Sequence, residues 1–376
     1  MLMQNPEAYI RQHFAEMLDD LRTLAVIPAP SGHEDVRAQW VCEYLRRYGA
    51  NPVVDDAKNV ILTFGVPSPT NPCDVYMAHT DVVFPDVTPL PLVEDGTVFR
   101  APGVGDDTAN LVCLLLTARY LLENPCAPTR PVLIVANACE EGLGNLRGVT
   151  RVCDDYSVGR LITFDGSIRS CVTTAVGSYR YRVTVRTEGG HSFGAFGNRN
   201  AIAYLSSMID TLYRMKAPEY GKTTYNVGQI GGGTSVNTIA EEAWMLYEFR
   251  SDDRRGLDAM KNFFERTLDA YRAMGIAVEC ELLGVRPCDG EVNADAMQTL
   301  VNLADGIAFE LTGEHLRPTS GSTDANLPLS RGIPAVCLGV VGRGGGTHTR
   351  DEWIDTADLE RGALYCMKIV LSSFTL

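Results

Sequence analysis

Short apolar runs at Val60–Phe64, 75–78, 131–138 and 161–164 punctuate the first half of the chain, and several end on charged residues. Runs of this length without alternation predict strands buried on both faces. Helical spacing appears elsewhere. Ile10, Phe14, Met17, Leu18 and Leu21 fall on one face of an opening helix, and 110–122 reads as an apolar helix. Ser31, with Glu34 three residues on, has the spacing of a capping box and predicts the start of a second helix. Buried strands alternating with helices predict an α/β domain with a mostly parallel central sheet.

Near residue 176 the pattern changes. Tyr179, Tyr181, Val183 and Val185 alternate with Arg180, Arg182, Thr184 and Arg186, the period of a half-exposed strand. A helix at about 200–215 follows, then a strand pair at about 224–230 and 243–250. A second helix carries Leu257, Met260, Phe264, Leu268 and Tyr271, and a last strand spans about 276–282. The order β-α-β-β-α-β is the ferredoxin-like plan. Afterwards the α/β texture returns, with a helix near 294–311, a strand at 335–340 and a final helix from about 357. The expected organisation is a discontinuous catalytic domain, 1–175 and 286–376, interrupted by an α+β domain at 176–285.

Composition narrows the function classes. The 376 residues carry a net charge of −14, which argues against nucleic acid and against an anionic membrane surface. Eleven cysteines occur without a CxxC pair, several inside apolar runs (Cys113, Cys139, Cys337), as buried reduced thiols do. The N-terminal stretch carries charges where a signal peptide needs an apolar core. The longest apolar stretch is interrupted by Arg119 and is too short to span a bilayer. The cytoplasm is the expected location.

Candidate chemistry sits where such sheets collect ligands, beyond the carboxyl ends of strands. His79 and Asp81 follow one strand, on the spacing that shares a face. A ligating imidazole needs a partner to fix its tautomer, and Asp81 is placed to supply it. Asp106 and Asp107 follow two glycines before an apolar helix. Glu140 and Glu141 end a buried run; Gly142 permits the strand to end there, so that one acid can bind a metal and the other move a proton. Asp165 stands at a further strand end and His348 in a glycine-rich loop. Imidazole and carboxylate together suit zinc, and also cobalt or manganese. His13, His33 and His315 join no cluster and read as surface or helix residues. The triple glycines at 231–233 and 344–346 lack the context of a phosphate cradle.

The ordered set HxD, GxGDD, EEGxG, FDG, GGHS, GGTSVNTIA, EFR, GSTDAN and THT resembles the co-catalytic zinc peptidase family. Its members include peptidase T, glutamate carboxypeptidase, aminoacylase and acetylornithine deacetylase, and the spelling leans toward the peptidase T-like branch. The resemblance implies two divalent metal ions, zinc foremost, held by His79, Asp106, Glu141, Asp165 and His348. Asp106 would bridge them, with Asp107 the alternative. Asp81 would orient His79 and Glu140 would be the general base. His191 in the inserted lid would stabilise the oxyanion, and Asn237 and Arg250 would bind the substrate. The chain departs from many relatives at Thr108, where they carry Lys, and at Asn110, where they often carry Gly. The implied activity is amide hydrolysis in small peptides, as an aminopeptidase or dipeptidase. An N-acyl amino acid deacylase or a carboxypeptidase is the same-family alternative, and an inactive scaffold protein the remote one. The inserted domain would also be the place for a homodimer contact.

Overall fold

The structure is a computed structural model and describes residues 4–375. The chain divides into two compact units: Met1–Thr174 with Gly290–Leu376, and Ala175–Asp289.

The larger unit is built on an eight-stranded sheet. Its centre is Val132–Asn137, Cys73–His79, Val158–Phe164 and Ala335–Leu338, each pair of neighbours parallel. Val60–Phe64 flanks this core antiparallel on one side and Ser170–Ala175 on the other. Cys73–His79 and Val132–Asn137 are buried at every position, which explains their unbroken apolar runs. Helices Pro6–Val26, Ala109–Glu123 and Leu359–Leu371 pack on one another. Ala109–Glu123 is buried on all sides from Ala109 to Leu121, hence its lack of a polar face. No helix among the described residues is long and apolar enough to cross a membrane.

The smaller unit is a four-stranded antiparallel sheet in the order Thr223–Gly232, Glu242–Ser251, Gly177–Arg186, Ala277–Arg286. Helices Ala201–Tyr213 and Arg254–Ala273 cover one face over Val183, Val185, Met245 and Phe249, with Phe264 of the second helix packed into the same core. This is the ferredoxin-like arrangement.

One local expectation fails. Helix Asp35–Arg47 begins as expected, but its N-cap is Glu34 and no side chain caps it. The Ser31 hydroxyl instead reaches the buried carboxylate of Asp81 (2.5 Å) and the Glu141 carbonyl (3.0 Å). Glu34 accepts the N–H groups of Gly32 (2.7 Å) and Cys139 (3.1 Å). Charge-assisted bonds to a buried carboxylate outweigh a local cap. His13 lies in a helix, as expected; it is buried there, its ring tilted against Tyr9 and in contact with Arg119.

One glycine positions the segment leading to Glu140. Gly148 lies at the start of helix Arg147–Asp155, where a Cβ would overlap the Ala138 carbonyl and press on the Asn59 side-chain oxygen. Gly148→Ala should therefore cost about 1–3 kcal/mol of stability by overpacking. Urea unfolding measures this, and an unshifted midpoint would contradict the packing described.

Candidate metal centre

The parallel strands deliver the polar residues to their common carboxyl ends. His79 closes its strand, Asp165 follows Phe164, and the Glu140–Glu141 pair lies three residues beyond Asn137. Cys139 turns the chain there with φ +60°, and His348 has φ +62°. Both are in the left-handed region that side chains rarely adopt, so the surrounding structure must hold them there.

Asp106 stands at the middle of the group. Its Oδ1 is 3.0 Å from His79 Nε2 and its Oδ2 is 3.2 Å from His348 Nε2. His348 Nε2 also lies 3.1 Å from Glu141 Oε1. Three sets of donor atoms fall within 4.8 Å of one another: His79–Asp106–Asp165, Asp106–Glu141–His348, and His79–Glu140–Glu141. The first two share Asp106. Asp107 joins none of them. It is buried, and its Oδ2 accepts the backbone N–H of His79 (2.8 Å).

The nearer acceptor for His79 Nδ1 is the Asp81 backbone carbonyl at 3.0 Å, with the Asp81 carboxylate at 3.5 Å. That carboxylate also takes the N–H of Glu140 (3.0 Å) and of Glu141 (2.8 Å), and so fixes both glutamates.

The electrostatics are those of crowded carboxylates. Burial and the neighbouring Asp106 charge push Asp165 up to about 7. Burial likewise holds Asp107 well above the usual carboxylate range. Hydrogen bonds to Asp106 and Glu141 lift His348 to about 10. Burial opposes protonation of His79, but the carboxylates of Asp107, Asp106 and Asp81 outweigh it and hold the imidazole well above its ordinary value. Negative charge gathered out of water needs protons or cations to offset it. The donor set is imidazole nitrogen and carboxylate oxygen, which zinc accepts, and the two sets meeting at Asp106 fit two divalent cations.

Several supporting residues carry no obvious sequence signal. Glu352 is buried and accepts the N–H groups of Gly103 (2.9 Å), Gly105 (2.8 Å) and Asp106 (2.8 Å), clamping the Asp106 loop. Asn110 ties Gly105 to the chain beyond Leu338, donating to the Gly105 carbonyl (3.2 Å) and accepting the Val340 N–H (2.8 Å). The Thr108 hydroxyl donates to the Gly103 carbonyl (2.6 Å). Arg37, wholly buried, donates to Thr80, Ile27 and Thr108; burial draws it down to about 10, against the pull of Asp81 and Asp107. Thr108 and Asn110 thus both stitch the same loop.

In the smaller unit His191 and Asn237 lie side by side. Gly190–His191 pairs with Thr238–Ile239, and Ser192 N–H donates to the Asn237 carbonyl (2.9 Å). His191 Nδ1 accepts the N–H groups of Phe193 (3.3 Å) and Gly194 (3.2 Å). Arg250 is on the separate four-stranded sheet, its guanidinium forked onto Glu248 at 3.1 Å to each oxygen.

A parallel α/β sheet that gathers imidazoles and carboxylates around one shared acid defines a metal-dependent hydrolase. The particular family is clear from sequence: residues 75–372 match peptidase family M20/M25/M40, and the chain belongs to that family. It is 26% identical over 377 residues to the uncharacterized protein YqjE of Bacillus subtilis, covering 94% of this chain and 97% of that one. Aminopeptidase PepT of Bacillus cereus has a similar structure (TM-score 0.70, 21% identity, 94% and 97% covered). So does an M20 family metallo-carboxypeptidase of Sulfolobus solfataricus (TM-score 0.75, 16% identity, 94% and 98% covered).

Glu352→Ala should strip three N–H groups of their acceptor, the Gly103 one buried and the other two part-buried. The expected loss is about 1–3 kcal/mol for the buried group, with a smaller addition from the other two. Zinc affinity should fall about 10–100-fold, as when a ligand's support is removed. Unfolding and zinc titration test this, and wild-type values in both would show that Glu352 does not hold the loop.

Proposed function

We propose that this chain is a peptidase T-like hydrolase that cleaves an amide bond in small peptides with two divalent cations, zinc foremost. The observation that carries the reading is the Asp106 carboxylate, which has one oxygen facing His79 and the other facing His348. His79 and Asp165 would hold one cation, Glu141 and His348 the other, and Asp106 both. Bound there, the cations would polarise the scissile carbonyl and acidify water.

The chain's own groups supply the rest. Glu140 takes the proton of the attacking water and passes it to the leaving amine. Its N–H bond to Asp81 keeps its backbone in place. His191 accepts two N–H groups at Nδ1, which puts the proton of the neutral ring on Nε2, where it can donate to the developing oxyanion. Asn237, beside it, binds the substrate. Arg250 pairs with a substrate carboxylate through the fork that now holds Glu248.

The fold likeness to an aminopeptidase supports the peptide reading, while the likeness to a carboxypeptidase keeps that cleavage direction as the alternative. N-acyl amino acid deacylation needs the same machinery. The eleven cysteines form no disulfide among the described residues, which supports a reducing compartment, the cytoplasm. The edge strand Thr223–Gly232 is where a second copy would pair.

Glu140→Gln should keep its zinc and lose turnover by several orders of magnitude, because base and proton carrier go together. Tripeptides offered free, N-acetylated and C-amidated, followed by mass spectrometry, measure the loss and show which terminus is required. Near-normal turnover in the variant would remove Glu140 from this role.

A further inference from the structure

A cavity of about 430 Å³ opens beside the metal centre within the larger unit, with Asp106 and Asp165 among its lining residues. One wall is a small antiparallel sheet in which Arg343–Gly345 pairs with Trp353–Asp355. Its apolar side chains are the half-buried Trp353 and, packed behind the glycines, the buried Val341 and Ile354.

Two glycines keep the space over Ile354 clear. A Cβ at Gly344 would stand 3.2 Å from Val341 Cγ1 and 3.4 Å from Ile354 Cγ2. A Cβ at Gly105 would stand 3.0 Å from Ile354 Cγ2. The indole of Trp353 is braced by the Arg100 guanidinium, 5.9 Å from its ring centroid. The cavity therefore has an aromatic wall at Trp353 and a glycine-lined floor backed by Ile354 and Val341.

No lining charge is left over for a substrate side chain. Arg343 is the one cation among the lining residues, and it is committed to Asp355 (2.6 Å) and Asp358 (3.6 Å). Asp106 and Asp165 belong to the cation positions of the proposed function, and Glu352 already accepts three backbone N–H groups. A charged substrate side chain would find no partner among these side chains, whereas an aliphatic or aromatic one would bury its surface.

We propose that this cavity is the specificity pocket of the amide-cleaving site and takes one uncharged apolar side chain, of leucine to phenylalanine size, beside the scissile bond. The assignment rests on the peptidase reading above.

The test compares kcat/KM of the zinc-loaded chain for tripeptides with Gly, Ala, Leu, Phe, Asp or Lys at each position in turn. At one position Leu or Phe should exceed Gly and Asp by about ten-fold or more, the discrimination an apolar pocket gives. Ser167→Phe, at the exposed rim, should lower the Phe-to-Ala ratio about ten-fold by filling the mouth. Trp353→Ala, which removes a wall, should lower the same ratio through KM. A damaged metal centre lowers all rates together and leaves that ratio alone. The pocket assignment is overturned if the ratio survives both substitutions. It is overturned equally if the wild-type chain cleaves peptides with no side-chain preference, or prefers Asp or Lys. Cleavage of no peptide at all would remove the peptidase reading and the pocket with it.

Discussion

Asp81 is fully buried, and its carboxylate gathers the backbone N–H groups of Glu140 and Glu141 and the hydroxyl of Ser31. Its backbone carbonyl meanwhile fixes the imidazole of His79. A buried carboxylate must be surrounded by donors to be tolerated. Here that requirement draws three distant segments together: the turn at residue 31, the strand end at 79 and the loop at 140. The acid pair and the imidazole acquire their mutual geometry because they share this anchor. Glu352 repeats the device on the other side, where three N–H groups of the 103–106 loop converge on one carboxylate.

The consequence is a centre preorganised against its own repulsion. Four carboxylates and two imidazoles face one another, and Asp165 holds its proton up to about 7, chiefly through burial and then through the charge of Asp106. Such an arrangement opposes compactness by itself. It is kept in place by backbone hydrogen bonds rooted in the sheet, so the structural cost falls on residues outside the donor set. Rigid elements hold a site more closely than loops. His79 and Asp165 sit on or next to parallel strands, whereas Glu141 and His348 depend on loops that Asp81 and backbone turns at Cys139 and His348 constrain.

Most of the architecture was legible in the chain because buried parallel strands leave unbroken apolar runs and the inserted sheet leaves alternation. Residues 132–137 and 179–186 show the two textures plainly, and each occurs where it was expected. The donor residues were legible because they cluster at strand ends. What was not legible depends on contacts distant in sequence. Ser31 and Glu34 have the spacing of a helix cap, but the partners that take them lie at 81 and 139. Glu352 lies four residues after His348, and its charge reads as solvent-facing until the 103–106 loop is folded against it. Glu248 lies two residues before Arg250 on the same strand face, so that pairing could have been inferred from the period of two.

The central claim is that one carboxylate, Asp106, serves two cation positions. Counting zinc per chain by plasma mass spectrometry after equilibration tests it most directly, because it reads the site without reference to turnover. The account predicts two ions for the wild-type chain, both weakened together in Asp106→Ala and only one weakened in His348→Ala. A single ion in the wild-type chain, or two retained in Asp106→Ala, would contradict it.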